Sequence, residues 1–437
     1  MHDVTPGKSA SDCKTTAAFA AWPYRLGIFF YKFAASAFFK CGGLSWLRKK
    51  YKIGLEERMG EFSGKPKNAI WVYGASVGEV QPALSLIETA KNASALPCIL
   101  STTTTTGRTM AESFSSLQKA SSKADCMIYN PWDAPRFVKR ALDTLEPRAY
   151  VAVETERWPN MLAEIHARKI PAFLLNGRLS EKSLGRLLRQ RSFWRGVLCC
   201  FTRLMVRFES DKEKFLQLGV PDEKIVVTGD CKVDAMLRRK AEVNSTKWAH
   251  LRREAPLFLA GSTHKGEEET VLEGFAKVRR VNPGARLIIA PRYPERAISV
   301  VAAALPYGKV DLFTDIRPDW DIMVVNKIGV LFELYAAVDA AFIGGSLIPR
   351  GGQNPMEPAL FEIQVTHGPH MFNFPDAARM NDTGAALVVR DADELADAWL
   401  CVMDPEKREL TRQASRKYFA SAGGAVQRSW DVIMPYV

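Results

Sequence analysis

The sequence predicts an α/β protein made of two doubly wound domains in tandem that face a cleft. Three observations predict it. From Ala69 onward, short β-branched runs alternate with amphipathic helical stretches, and strand, helix, strand in repetition means a parallel sheet covered on both faces. A second series of the same kind begins at Leu257, beyond a Lys- and Arg-dense helical segment over Met236–Glu254 that holds the interdomain linker. A chain of 437 residues also exceeds one ordinary domain.

In chain order, the amino terminus comes first. Residues Ala17–Phe39 are rich in Phe, Ala, Ile and Leu, with no small-residue cleavage site after a compact apolar core, so the run is not a signal peptide. Wound as a helix, it gathers Arg25, Lys32, Ser36 and Lys40 into one narrow arc and leaves the rest apolar. Such a helix lies in a membrane interface with its Lys side chains reaching the headgroups. The cluster Arg48, Lys49, Lys50 and Lys52 follows, as expected beside an anionic leaflet. The other reading is a helix packed on the protein's own core. The formal charge of +12 asks for an anionic partner, which is nucleic acid, a phosphorylated substrate or an acidic membrane. With 47% hydrophobic and 25% charged residues the chain is not disordered. Its 8 cysteines lack CxxC spacing and read as reduced thiols, not a disulfide framework or zinc site.

The first series of strands is Ala69–Tyr73, Pro97–Thr102, Cys126–Tyr129, Ala149–Val153, Ala172–Leu175, Leu204–Arg207 and Lys224–Thr228, with helices such as Val80–Lys91, Ala134–Leu145 and Lys182–Leu198 between them. The second is Leu257–Ala260, Arg286–Ala290, Ile322–Val325, Ala340–Ile343 and Ala386–Val389. Ligands bind such sheets at the carboxyl ends of the strands, so the loops that follow strands are where chemistry is expected.

Five loops qualify. Gly74–Glu79 follows a strand and opens a helix. Its glycines and Ser76 let a substrate approach the backbone. Glu79 is either a helix-start acid favoured by the dipole or the general base that takes a proton from an acceptor hydroxyl. Glu154–Asn160 offers Glu154 and Glu156, one of which lines an acceptor side; the other reading is capping acids, with Glu156 paired to Arg157. Gly261–Glu268 forms an amide-rich turn able to hold phosphate, with Ser262 or Thr263 capping the next helix and Glu267, Glu268 and Glu269 solvated. Pro291-Arg292 makes a rigid anion clamp, unless Arg292 pairs with a structural acid. The loop from Gly344 to Glu357 carries Gly344, Gly345, Gly351 and Gly352. Asn354 and Pro355 then start a helix whose amino terminus suits phosphate and whose Glu357 suits ribose hydroxyls. No metal site is expected: Asp391-Ala392-Asp393 reads as a helix cap, and the 6 His lack ligand spacing.

Together these loops resemble the bacterial 3-deoxy-D-manno-octulosonic acid (Kdo) transferases of lipopolysaccharide synthesis, in one colinear order from about Gly54 to about Arg416. The matching stretches include Glu56–Gly60, Gly74–Glu79, Ser101–Gly107, Pro131–Pro135, Glu154–Asn160, Asn176–Ser180, Gly229–Asp234, Gly261–Glu268, Pro291–Arg296, Gly344–Glu357 and Gly368–Asn373. Departures are Tyr293 and Gln353 in place of His, and Arg157 in place of Leu.

The resemblance implies a GT-B glycosyltransferase fold of two Rossmann-like domains. It also implies inverting, metal-independent transfer of Kdo from CMP-Kdo to the phosphorylated, tetraacylated precursor of lipid A (lipid IVA), with no cofactor. Glu79 falls on the family's general base. CMP-binding positions fall on Pro291 and Arg292, on Ile328-Gly329-Val330, and on Asn354, Pro355, Met356 and Glu357. Ser76, Gly78 and Glu154 are expected on the acceptor side. The implied plan is a membrane-associating segment at 1–53, an acceptor domain at 54–235, a CMP-sugar domain at 236–410, and a carboxyl-terminal helix at 411–437 that packs back on the first domain. The expected partners are CMP-Kdo, the lipid acceptor and an anionic membrane surface, not nucleic acid, at the cytoplasmic face of the inner membrane. A UDP-sugar transferase, a basic nucleic-acid-binding protein and a non-catalytic scaffold are the rival readings.

Overall fold

A computed structural model describes residues 22–43, 45, 47, 53–117, 123–244 and 246–437. The basic cluster Arg48, Lys49, Lys50 and Lys52, and the first residues of the expected amino-terminal helix, lie outside them. The chain divides into two units, one ending at Ala235 and completed by Gly423–Val437, the other Met236–Ala422.

In the first unit, β1 (Ile70–Tyr73), β2 (Cys98–Thr102), β3 (Cys126–Tyr129), β4 (Ala149–Val153), β5 (Ala172–Gly177), β6 (Arg203–Val206) and β7 (Ile225–Val227) form one sheet in the order β3-β2-β1-β4-β5-β6-β7. Every pairing is parallel. The strands read as near-continuous apolar runs because helices bury both faces. Trp71, Tyr150 and Leu174 pack on one side; Val72, Val151 and Phe173 on the other. Strand order reverses between β1 and β4, so the loops after those two strands flank the crevice where such sheets hold ligands.

The second unit repeats the plan. Strands β8 (Leu257–Thr263), β9 (Arg286–Pro291), β10 (Val310–Leu312), β11 (Ile322–Val324), β12 (Ala340–Ile343), β13 (Gln364–His367) and β14 (Leu387–Val388) run in the order β10-β11-β9-β8-β12-β13-β14. All are parallel. The reversal falls between β8 and β12.

The amino-terminal helix Trp22–Phe38 has two faces. Tyr24 is buried against Gly196, its hydroxyl 3.7 Å from Cys200 Sγ, and Gly27 lies against Phe193. On the other side Leu26, Phe29, Phe30 and Phe33 are exposed, together with Arg25. The polar arc read from the sequence is therefore not set against an apolar remainder, because basic residues and exposed phenylalanines share the outward face. Among the described residues no helix is long and apolar enough to cross a membrane.

Three more sequence readings need correction. Lys182–Leu198 is two helices, Glu181–Leu188 and Arg191–Cys199, broken where Gln190 leaves helical geometry. No Gly or Pro marks that break, and the second helix turns to pack on Trp22–Phe38. Strands β10 and β13 were not anticipated. Polar Gln364, Thr366 and His367 hide β13, and each is buried and bonded, Gln364 to Thr411 at 2.9 Å. Asp311 likewise breaks the apolar run of β10 while pairing with Arg317 at 2.8 Å.

Candidate active site

In the first unit the site grows from the turn after β1. Ser76 adopts an extended conformation before the helix Val77–Ala93, and its amide donates to Glu79 Oε2 at 3.0 Å. Glu79 is therefore a capping-box acid, the local reading that the sequence left open. It is also buried, only 8% exposed, while Ser76 and Gly78 beside it are exposed. Burial pushes its carboxyl up to about 7, the nearby Glu156 carboxylate adds to the rise, and the amide bonds oppose it. A carboxylate so placed carries its proton equilibrium near neutral pH, as a general base requires.

The turn after β4 supplies the neighbours. Glu154 sits at φ 58°, a left-handed conformation uncommon for a non-glycine residue. Its buried carboxylate accepts from Arg178, Nε at 2.8 Å and Nη2 at 2.6 Å, and pairs with Lys232. Two cations thus neutralise Glu154. Glu156 accepts the indole of Trp158 at 2.7 Å, and burial raises its carboxyl while the Trp158 and Tyr73 bonds and the more distant Arg157 charge oppose the rise. The expected Glu156–Arg157 ion pair does not form.

The motifs around these turns hold them in place. Glu57 accepts the Tyr129 amide at 2.7 Å, and buried Arg58 donates to Thr103 at 2.8 Å, tying down the ends of β2 and β3. Asp133 accepts the amides of Asn160 and Met161 at 3.0 and 2.8 Å, capping the helix Pro159–Ala167, and receives the Tyr31 hydroxyl. Asp234 accepts the amides of Gly424 and Val426 at 2.6 and 2.7 Å, fixing the returning helix Ala425–Ile433.

In the second unit the loops after β8, β9, β11, β12 and β13 share the carboxyl edge of the sheet. Pro291 ends β9, and Arg292 follows it, exposed, with no carboxylate partner among the described residues. After β11, Ile328 is 81% exposed, Gly329 takes φ 90° and Val330 is buried. After β12 the chain runs through Gly344–Gly352 to a short helix, Met356–Ala359. Asn354 Oδ1 accepts the Met356 amide at 3.1 Å. Pro355 and Met356 are buried, and burial raises the Glu357 carboxyl while Arg239 opposes the rise.

The turn after β8 overturns two expectations. Ser262 and Thr263 belong to β8, and the helix they were expected to cap begins only at Glu268. Ser262, at φ 57°, marks a slip in the β8–β9 register. Nor is Glu267 solvated: it is fully buried, and its carboxylate accepts the amides of Gly345, Ser346 and Leu347 at 2.7, 2.9 and 3.0 Å, plus His264 N at 2.9 Å. The reason is sheet order, which sets β8 beside β12. Of the turn expected to hold phosphate, this carboxylate takes one amide, that of His264, and the other three belong to the loop after β12. Glu268 is buried against Arg296 at 2.7 Å, and only Glu269 is exposed. Glu267 and His264 escaped the reading of the sequence, since nothing local marks a contact that the strand order creates.

Gly368–Asn373 wraps the same loop. The Gly368 amide donates to Ser346 Oγ at 2.7 Å, and a Cβ at Gly368 would stand 2.3 Å from the Ser346 carbonyl oxygen. Asp391 accepts the amides of Asp393 and Glu394, both at 2.9 Å, the helix cap expected of it. Among the described residues no His, Cys, Asp and Glu cluster has the makings of a metal site.

The family described as 3-deoxy-D-manno-octulosonic-acid transferase (kdotransferase) matches residues 54–235. The chain is similar to the 3-deoxy-D-manno-octulosonic acid transferase of Haemophilus influenzae, 31% identical over 414 residues that cover 91% of this chain and 94% of that protein. It is similar to the protein of the same name from Bordetella pertussis, 30% identical over 374 residues, covering 83% and 86%. In fold it is similar to a UDP-GlcNAc 2-epimerase from Neisseria meningitidis, with a TM-score of 0.62 at 12% identity, covering 84% of this chain and 100% of that one.

Proposed function

Since this chain belongs to the 3-deoxy-D-manno-octulosonic acid (Kdo) transferase family of glycosyltransferases, we propose that it transfers Kdo from CMP-Kdo to lipid IVA with inversion and without a metal ion. The observation that carries the reading is Glu79, a buried carboxylate held near pKa 7 beside the strand-order reversal of the first sheet. As the acceptor hydroxyl attacks the anomeric carbon, Glu79 takes its proton and the bond from that carbon to the CMP phosphate breaks. Arg292 meets the charge that grows on the leaving phosphate, which is the task a metal ion otherwise performs. Exposed Ile328 gives the base an apolar face, and Glu357 accepts from the ribose hydroxyls. Ser76, Gly78 and Glu154 line the acceptor side, Glu154 through the cations that it orients.

Leu26, Phe29, Phe30 and Phe33, exposed on one helix face, support a monotopic attachment to the cytoplasmic face of the inner membrane, where the acceptor's acyl chains lie. Mass spectrometry of the product tests the function: CMP-Kdo with lipid IVA yields a Kdo-bearing lipid, UDP-sugars yield none, and Glu79→Gln forms the Kdo-bearing lipid far more slowly.

A further inference from the structure

A half-buried guanidinium with two unsatisfied hydrogen-bond donors stands beside the carboxylate cluster. Nε and Nη1 of Arg157 are buried, and neither meets a hydrogen-bond acceptor. Its sequence neighbour Glu156 accepts the indole of Trp158 instead. The Glu156 carboxylate still attracts the guanidinium through space, and Arg186, a second cation, opposes it. Buried donors of a charged side chain are costly to leave unmade, so such a group calls for an acceptor that arrives from outside.

Open space lies before it. A cavity of about 280 Å³ is lined by Tyr31, Glu156, Arg157, Trp158 and Trp194. The guanidinium lies 5.9 Å from the centroid of the Trp194 ring. Aromatic faces accept the apolar face of a sugar ring, and a guanidinium takes phosphate through paired N–H donors. Tyr31 belongs to the helix Trp22–Phe38, held there by Asp133. The outward side of that same helix exposes Phe29, Phe30 and Phe33. A cavity that joins aromatic walls, an unsatisfied cation and a lipid-seeking helix fits the headgroup of a phosphorylated glycolipid.

We infer that this cavity seats a phosphorylated sugar of the acceptor, with the guanidinium of Arg157 holding the phosphate monoester. The inference rests on the acceptor class proposed above and adds the residue that selects for its phosphate.

The test compares transfer by the full chain in mixed micelles to the acceptor and to the same glycolipid after phosphatase treatment, for wild type, Arg157→Lys and Arg157→Leu. Wild type prefers the phosphorylated acceptor by about 10- to 100-fold in kcat/KM. Arg157→Leu loses that preference through the acceptor KM, with the CMP-Kdo KM unchanged, and Arg157→Lys keeps part of it. Because the ratio is taken within one protein, a variant that folds poorly does not distort it. A ratio as large in Arg157→Leu as in wild type overturns the inference. So does a moved pH–rate profile with the ratio intact, which makes Arg157 an adjuster of Glu156 alone. Loss of binding to acceptor-free phosphatidylglycerol vesicles overturns it too, by assigning Arg157 to bulk lipid. If wild type transfers to neither acceptor, the proposed function fails separately. Calorimetric titration with glucose 1-phosphate then decides the cavity: binding that Arg157→Leu abolishes sustains it, and no binding by wild type overturns it.

Discussion

Three glutamates in neighbouring turns have three different fates, and their surroundings decide which can do chemistry. Glu154 is spent on Arg178 and Lys232, Glu156 on the Trp158 indole, and Glu79 keeps one oxygen on the Ser76 amide. Burial and the Glu156 charge hold Glu79 at about 7, so its base form is present above that pH and transfer should climb as pH rises through it. Glu156→Gln removes the repelling charge, and the rising limb of the kcat–pH profile should move to lower pH. An unmoved limb would mean that burial alone sets the value. The same displacement has a cost in stability. Between the ordinary carboxylate range and about 7 the native state binds more protons than the unfolded chain, so stability falls as pH rises across that window. Sequence alone placed Glu79 at a helix start, because a Gly-rich turn after a strand marks it. It did not reveal the neutralised Glu154 or the unsatisfied donors of Arg157, since each depends on side chains that approach from the turn after β5, the helix Cys231–Ala241, the helix Arg191–Cys199 or the amino-terminal helix.

At the scale of elements, the loop after β12 is held by one carboxylate from the turn after β8. Glu267 satisfies the amides of Gly345, Ser346 and Leu347, and Ser346 in turn receives the Gly368 amide. Glu267→Ala leaves four amides unmet, those of His264, Gly345, Ser346 and Leu347, and should cost about 3 kcal/mol of stability, read as a lower Tm. Weaker CMP binding by calorimetry should accompany it, because Asn354–Glu357 hang from that loop. Unchanged CMP affinity would separate the loop from the donor site. Long apolar strands such as Ala149–Val153 and Ala340–Ile343 were legible from composition alone. Strands β10 and β13 were not, because their polar residues are satisfied only by partners distant in sequence, Arg317 for Asp311 and Thr411 for Gln364.

Across the whole molecule, a net charge of +12 combines with an exposed aromatic helix face. On the attachment proposed above, electrostatic attraction would bring the chain to an anionic surface and apolar burial would keep it there. Each phenylalanine side chain that leaves water contributes about 1.5–3 kcal/mol. The double variant Phe29→Ser, Phe33→Ser should therefore lose at least about 10-fold in affinity for phosphatidylglycerol vesicles by co-sedimentation, while CMP binding in solution stays the same. Equal vesicle binding by the variant would move the attachment elsewhere on the chain.

The central claim is that a single carboxylate accepts the proton in Kdo transfer. Gln serves a capping box as well as Glu does, so Glu79→Gln keeps the turn after β1 and removes only the base. Single-turnover transfer from CMP-Kdo to lipid IVA, followed by mass spectrometry at pH 8, measures the consequence. The rate should fall by about 10²–10⁴ with CMP affinity unchanged and Tm no lower than in wild type. A Glu79→Gln enzyme that forms Kdo-lipid at the wild-type rate would contradict the account.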